Sequence, residues 1–128
     1  MDRIEISVII PVYRAEKHLR ETLENIRNQT FSNFEVILVD DCGYDRSYEI
    51  SKEFSSLDVR FRTIRNDRNI GAAASRNRGF EEAVGEYIIF LDADDTYDSQ
   101  LLETLYLNVI RNNAEVALCR SDIVDVRD

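Results

Sequence analysis

Two carboxylates one residue apart, Asp92 and Asp94, follow directly on the apolar run Tyr87 to Leu91. In an extended segment, residues two apart point to the same side. The pair can therefore hold a hard cation, directly or through water. Such a cation would bridge to a diphosphate, which the carboxylates alone would repel. The same stretch also suits an acidic loop before the next helix, with Asp95 or Asp98 near its N-terminus. A second acidic pair, Asp40-Asp41, ends another apolar run. A carboxylate there can accept hydrogen bonds from the N–H of a pyrimidine base or from a ribose hydroxyl. Asp-Asp-Cys-Gly is equally good turn chemistry, and Asp45 is placed to cap the helix after it. Arg76, a few residues after Gly71-Ala72-Ala73-Ala74, can reach a base or a phosphate. Arg78 reads as part of a solvated helix face.

These residues hang on an alternation of elements. Ile6 to Val12 and Phe34 to Val39 are near-continuous apolar runs, and Tyr87 to Leu91 is a third. Val59, Phe61 and Thr63 alternate with arginines, as in a more exposed strand. Between the runs, apolar residues recur at helical spacing: Leu19, Leu23 and Ile26; Ile50, Phe54 and Leu57; Ala73, Phe80 and Val84; Leu101, Leu105 and Val109. Val116 to Leu118 reads as a last strand. Strands buried on both sides with helices between them imply an α/β fold. It is a Rossmann-like, doubly wound, mostly parallel sheet with helices on both faces. In such sheets a ligand sits beyond the carboxyl ends of the strands. That is where Pro11-Val12-Tyr13, Asp40-Asp41 and Asp92 to Asp95 all fall.

Composition narrows the function. The 128 residues fit a single domain, 1–128. The net charge is −9, which argues against non-specific binding to nucleic acid. Only Lys17 and Lys52 are lysines among the 16 basic residues. Cys42 and Cys119 give neither a disulfide framework nor a metal-ligand spacing and read as reduced and structural. There is no signal-peptide or membrane-spanning stretch, so a cytoplasmic location is expected, with the inner membrane face open to a peripheral association. His18, the one histidine, assembles no Ser/His/Asp or Cys/His set and reads as structural or surface. No G-x-x-x-x-G-K-[ST] loop and no G-x-G-x-x-G after the first strand is present.

Read together, the segments resemble the family 2 glycosyltransferases. The matching stretches are Ser7 to Tyr13, Gln29-Thr30-Phe31, Phe34 to Asp41, Asn69-Ile70-Gly71, Arg76 to Gly79, and Gly85 to Asp95. The resemblance implies a GT-A-type fold and an inverting transfer of a sugar from a nucleoside-diphosphate donor, UDP-type, to a glycan or lipid-linked acceptor, as in polysaccharide biosynthesis. It implies that Pro11, Val12 and Tyr13 line the nucleoside pocket, that Asp41 contacts the base, and that Arg76 lies near the base or diphosphate. Asp92 should sit near the ribose and the metal, and Asp94 should be the direct ligand of Mn²⁺ or Mg²⁺, the pair forming a DXD motif. The sequence departs from the family pattern at Cys42-Gly43-Tyr44, where Gly-Ser is common.

Family members carry the general base in a further, acceptor-binding half. The chain therefore reads as the donor-binding part, C-terminally truncated, with its base outside, although Asp122, Asp125 and Asp128 lie in its tail. Missing sheet partners would leave a strand edge through which it could self-associate. The rival readings are a non-catalytic nucleotide-binding domain and a phospho-receiver module. The receiver needs a Lys after a late strand, and neither Lys17 nor Lys52 is so placed.

Overall fold

The structure, a computed structural model, describes residues 3–112. Four strands and four helices alternate: β1 (Ile6–Val12), α1 (Leu19–Arg27), β2 (Phe34–Asp40), α2 (Ser47–Leu57), β3 (Phe61–Arg65), α3 (Ala72–Glu82), β4 (Tyr87–Phe90) and α4 (Leu101–Asn112). The strands are parallel in the order β3-β2-β1-β4. The order reverses between β1 and its two neighbours, which is where an open α/β sheet forms its ligand crevice. The expected strand at Val116 to Leu118, Cys119 and the three tail aspartates lie outside the described residues. Among those described, no helix is long and apolar enough to cross a membrane.

Side-chain alternation explains how each face is covered. Ile6, Val8, Ile10 and Val12 of β1 and Phe34, Val36 and Leu38 of β2 point into one core. They meet Leu19, Leu23 and Ile26 of α1, Ile50 and Phe54 of α2, and Leu102 of α4. The opposite face carries Ile9 and Val39 against α3.

Helix α3 departs from its sequence pattern. Phe80 and Val84, which mark it by spacing, are 56 % and 66 % exposed, and its buried positions are Ser75 and Gly79. The helix approaches the sheet through small residues, so hydropathy points to the wrong side of it. A Cβ at Gly79 would lie 2.5 Å from Ile9 Cγ2 and 3.2 Å from Val39 Cγ2. Gly79→Ala should therefore force α3 away from β1 and β2. The expected loss is about 1–3 kcal/mol, the usual range for overpacking, read by urea denaturation; a variant as stable as the parent contradicts this packing.

Two strand expectations also shift. Val59 is 98 % exposed and precedes β3. The Asp58 carboxylate accepts the N–H of Arg60 at 3.0 Å, which makes a turn there and delays the strand to Phe61. β4 ends at Phe90 and is only partly buried, because among the described residues it pairs on one side alone.

Candidate functional site

The carboxyl ends of β1, β2 and β4 open onto one cleft of about 720 Å³. Pro11 and Tyr13 line it from the end of β1, Asp41 from the end of β2, Gly71 and Arg76 from the start of α3, and Asp92 and Asp94 from beyond β4. Six of the seven residues to which the family resemblance gives a role thus meet in one place. Val12 is the exception: its side chain alternates into the core, and its carbonyl accepts the N–H of Asp41 at 2.8 Å. Lys17 and exposed His18 also line the cleft, so His18 is a surface residue that faces the site.

Asp41 is 2 % exposed, and its carboxylate organises the loop between β3 and α3. Oδ1 accepts the Asn66 amide at 2.9 Å and the Ile70 N–H at 2.8 Å. Oδ2 accepts the Asn69 amide at 3.0 Å and the Gly71 N–H at 2.9 Å. Gly71 has φ +95° and ψ 162°, a region essentially confined to glycine, and it starts α3. Asn66 is held in turn: it donates to Ser75 Oγ at 3.0 Å and accepts from Arg78 at 2.7 Å. Arg78 also donates to the Arg65 carbonyl at 2.9 Å. It is a clamp on this loop and not the solvated residue its sequence setting suggests. The N-terminus of α3 consequently faces the cleft with Arg76 one turn in, a setting that favours anions.

The Asp92–Asp94 segment is not extended. It turns at Ala93 and Asp94, because the Leu91 N–H to Ile9 carbonyl bond is where pairing with β1 stops. Both carboxylates still line the cleft. The segment is fastened from behind by residues to which sequence reasoning gave no role. Tyr97 Oη accepts the Asp92 N–H at 2.8 Å. Asn25 of α1 bonds both the N–H and the carbonyl of Tyr97, each at 2.7 Å. Thr22 donates to the Asp95 carbonyl, and Gln29 bridges the Asp98 carbonyl and the Leu102 N–H. The polar residues inside an otherwise amphipathic α1, with buried Gln29 just beyond it, were the available signal. Asp98 accepts the Gln100 N–H in the turn ahead of α4, so it shapes the approach to the helix and does not cap it.

Asp92 Oδ1 lies 4.0 Å from the Arg76 guanidinium. Asp94 is exposed. Among the described residues no three His, Cys, Asp or Glu side chains cluster as a metal cage. Two carboxylates beside a helix N-terminus nevertheless match how Mg²⁺ and similar ions are held elsewhere, with substrate phosphates and water completing the shell.

The β1–α1 and β2–α2 loops are knitted together beside the cleft. Asp45 accepts the N–H groups of Ser47 and Glu16 at 2.9 and 3.3 Å, and Ser47 Oγ accepts the Ala15 N–H at 2.9 Å. Burial raises the Asp45 pKa, but these bonds outweigh it and hold the carboxyl below its ordinary value. Arg14, Cys42 and Tyr44 all adopt positive φ here. The left-handed backbone at Cys42 is one that glycine adopts at least cost.

Asp40 faces away from the cleft, toward Arg65 Nε at 3.3 Å and the Cys42 N–H at 3.1 Å. Burial pushes its carboxyl above the ordinary value, against the pull of those two donors. An acid with a raised folded-state pKa holds its proton more tightly folded than unfolded. Its ionisation therefore costs stability as pH climbs from about 4, the unfolded value, through the folded one. Asp40→Asn lacks this titration. Its stability relative to the parent should improve between about pH 4 and pH 7, compared by urea denaturation at the two ends. A gap independent of pH contradicts the burial argument.

Comparison with known proteins gives a consistent outcome. The model of glycosyl transferase family 2 matches residues 7–127. Glycosyltransferase GlyG of Streptococcus pneumoniae serotype 4 is 42 % identical over 113 residues, 88 % of this chain and 38 % of that protein. Glycosyltransferase GlyA of the same organism is 40 % identical over 114 residues, 89 % of this chain and 16 % of that protein. The chain thus spans well under half the length of these relatives. The crystal structure of S. aureus TarS 1-349 in complex with UDP superposes with a TM-score of 0.83 at 26 % identity, covering 97 % of this chain and 38 % of that one. The mannosyltransferase PcManGT from Pyrobaculum calidifontis, at 24 % identity and a TM-score of 0.68, covers 76 % of this chain and 29 % of that one and shares the fold. The doubly wound sheet is of the GT-A type.

Proposed function

Because the chain belongs to glycosyl transferase family 2, we propose that it binds the donor for a metal-dependent transfer of sugar from a nucleoside diphosphate to an acceptor hydroxyl, with inversion. The observation that carries this reading is the convergence of Asp92, Asp94, Arg76 and the start of α3 on one cleft. Pro11 and Tyr13 form the wall for the nucleoside, and Asp41 fixes the base side. UDP is the proposed nucleotide, in keeping with TarS structures bound to UDP and UDP-GlcNAc. Arg76 and the α3 amides stabilise the charge that grows on the diphosphate as it leaves. Asp94, with Asp92 beside it, would hold Mn²⁺ or Mg²⁺, which when bound supplies further positive charge at that oxygen. The acceptor hydroxyl attacks the anomeric carbon from the opposite side, and its proton passes to a general base that this reading places outside the described residues. The acceptor is a glycan or lipid-linked hydroxyl, the location cytoplasmic or at the inner membrane face, and self-association through a sheet edge is open to it.

A melting-temperature screen of nucleoside diphosphates, each with and without Mn²⁺, tests the reading. A ligand at 100 times its Kd adds about 2.7 kcal/mol of stability. UDP with Mn²⁺ should give the largest rise. Equal rises with ADP, or none with any nucleotide, contradict the assignment. UDP release from UDP-sugars should not depend on added acceptor. Efficient acceptor-dependent release would place the base within this chain.

A further inference from the structure

The Asp41 carboxylate has no acceptor position left. A carboxylate offers about four lone-pair sites, and Asn66, Ile70, Asn69 and Gly71 take them at 2.8–3.0 Å. A base N–H can bond to Asp41 only if one of these donors withdraws. Three are fixed. Ile70 and Gly71 donate from the backbone that leads into α3, and Asn66 is buried and gripped by Ser75 and Arg78. The fourth differs in every respect. Asn69 is exposed, its side chain lines the cleft beside Asp41, and χ rotation alone would release it. Its amide also has a second acceptor nearby, the Asp41 carbonyl at 3.3 Å.

We infer that Asn69 is a specificity-determining residue that recognises the base by exchange: its amide holds Asp41 Oδ2 until the N–H of the incoming base replaces it. The inference rests on the donor-binding reading and adds a competitor to it. A base that presents an N–H can replace the amide bond one for one. A base lacking that donor would break the bond and return nothing, so Asn69 raises the threshold against it.

Three titrations and one spectrum test this. UDP and N3-methyl-UDP, which lacks the base N–H, are titrated into the wild-type chain with Mn²⁺, and UDP into Asn69→Ala. UDP should bind wild type more tightly than N3-methyl-UDP. Asn69→Ala should bind UDP about three- to tenfold more tightly, the worth of one competing hydrogen bond. In wild type, the side-chain ¹H–¹⁵N pair of Asn69, assigned through its own backbone, should shift on saturation with UDP while that of Asn66 stays. The spectrum needs no variant, so the test survives if Asn69→Ala does not fold. If UDP outbinds N3-methyl-UDP but the Asn69 pair does not move, or the folded variant binds UDP no better, exchange is wrong and the donor reading stands. If the two nucleotides bind wild type equally, the base does not donate to Asp41 and the exchange falls while donor binding stands; if UDP does not bind at all, the donor reading falls with it.

Discussion

Asp41→Ala is expected to lower the stability of the chain by about 2–4 kcal/mol and to remove nucleotide binding with it. The stability loss is the larger claim, since a carboxylate at a ligand cleft would ordinarily be spared for the ligand. Here the side chain is 2 % exposed and carries four hydrogen bonds to the β3–α3 loop. Hydrogen bonds to a charged acceptor are worth more than neutral ones, and truncation strands their donors. Asn66 would keep Ser75 as a partner, and solvent would reach Asn69 and Ile70, which limits the loss. A drop of roughly 10 °C in melting temperature is the corresponding signal. Binding fails as a consequence, because Gly71 and the first turn of α3 lose the anchor that aims them at the cleft. A variant that melts like the parent would show that the loop holds itself and that Asp41 serves the nucleotide alone.

Asp94→Asn should behave in the opposite way. Asp94 is exposed in a turn at the cleft rim. Losing its charge should change stability by no more than about 0.5 kcal/mol. The Mn²⁺-dependent part of UDP affinity should nonetheless disappear in calorimetry. Turnover in a protein that carries this site should fall by a factor on the order of 10²–10³, the scale of losing one charge-stabilising group at a leaving oxygen. The contrast between the two aspartates is the informative part: one mainly builds the site, the other mainly works in it. Unchanged metal-dependent affinity in folded Asp94→Asn removes it from the metal shell.

Much of this architecture is legible in the residues. β1 and β2 announce themselves because both of their faces are buried, which leaves no polar alternation, and α1 does so through Leu19, Leu23 and Ile26. The acidic pairs are legible because they stand at the ends of those runs, and strand ends in a parallel sheet share one rim. The inward side of α3 was not legible. It packs by Ser75 and Gly79, while hydropathy follows Phe80 and Val84 to the solvent. Nor was the occupation of Asp41. Its partners Asn66 and Asn69 lie 25 and 28 residues away, and in sequence an asparagine in a loop looks like turn chemistry. The clasp of Tyr97, Asn25 and Thr22 behind Asp92 escaped for the same reason: side-chain hydrogen bonds across 70 or more residues leave no periodic trace.

A crystal structure of the chain grown with UDP and Mn²⁺, with the ion located by its anomalous scattering, would decide whether this cleft is the donor site. The manganese should lie against Asp94 with Asp92 adjacent, the diphosphate beside Arg76 and the first turn of α3, and the uracil between Tyr13 and Asp41. A nucleotide bound elsewhere, or a manganese away from Asp92 and Asp94 with the nucleotide in the cleft, would contradict these roles.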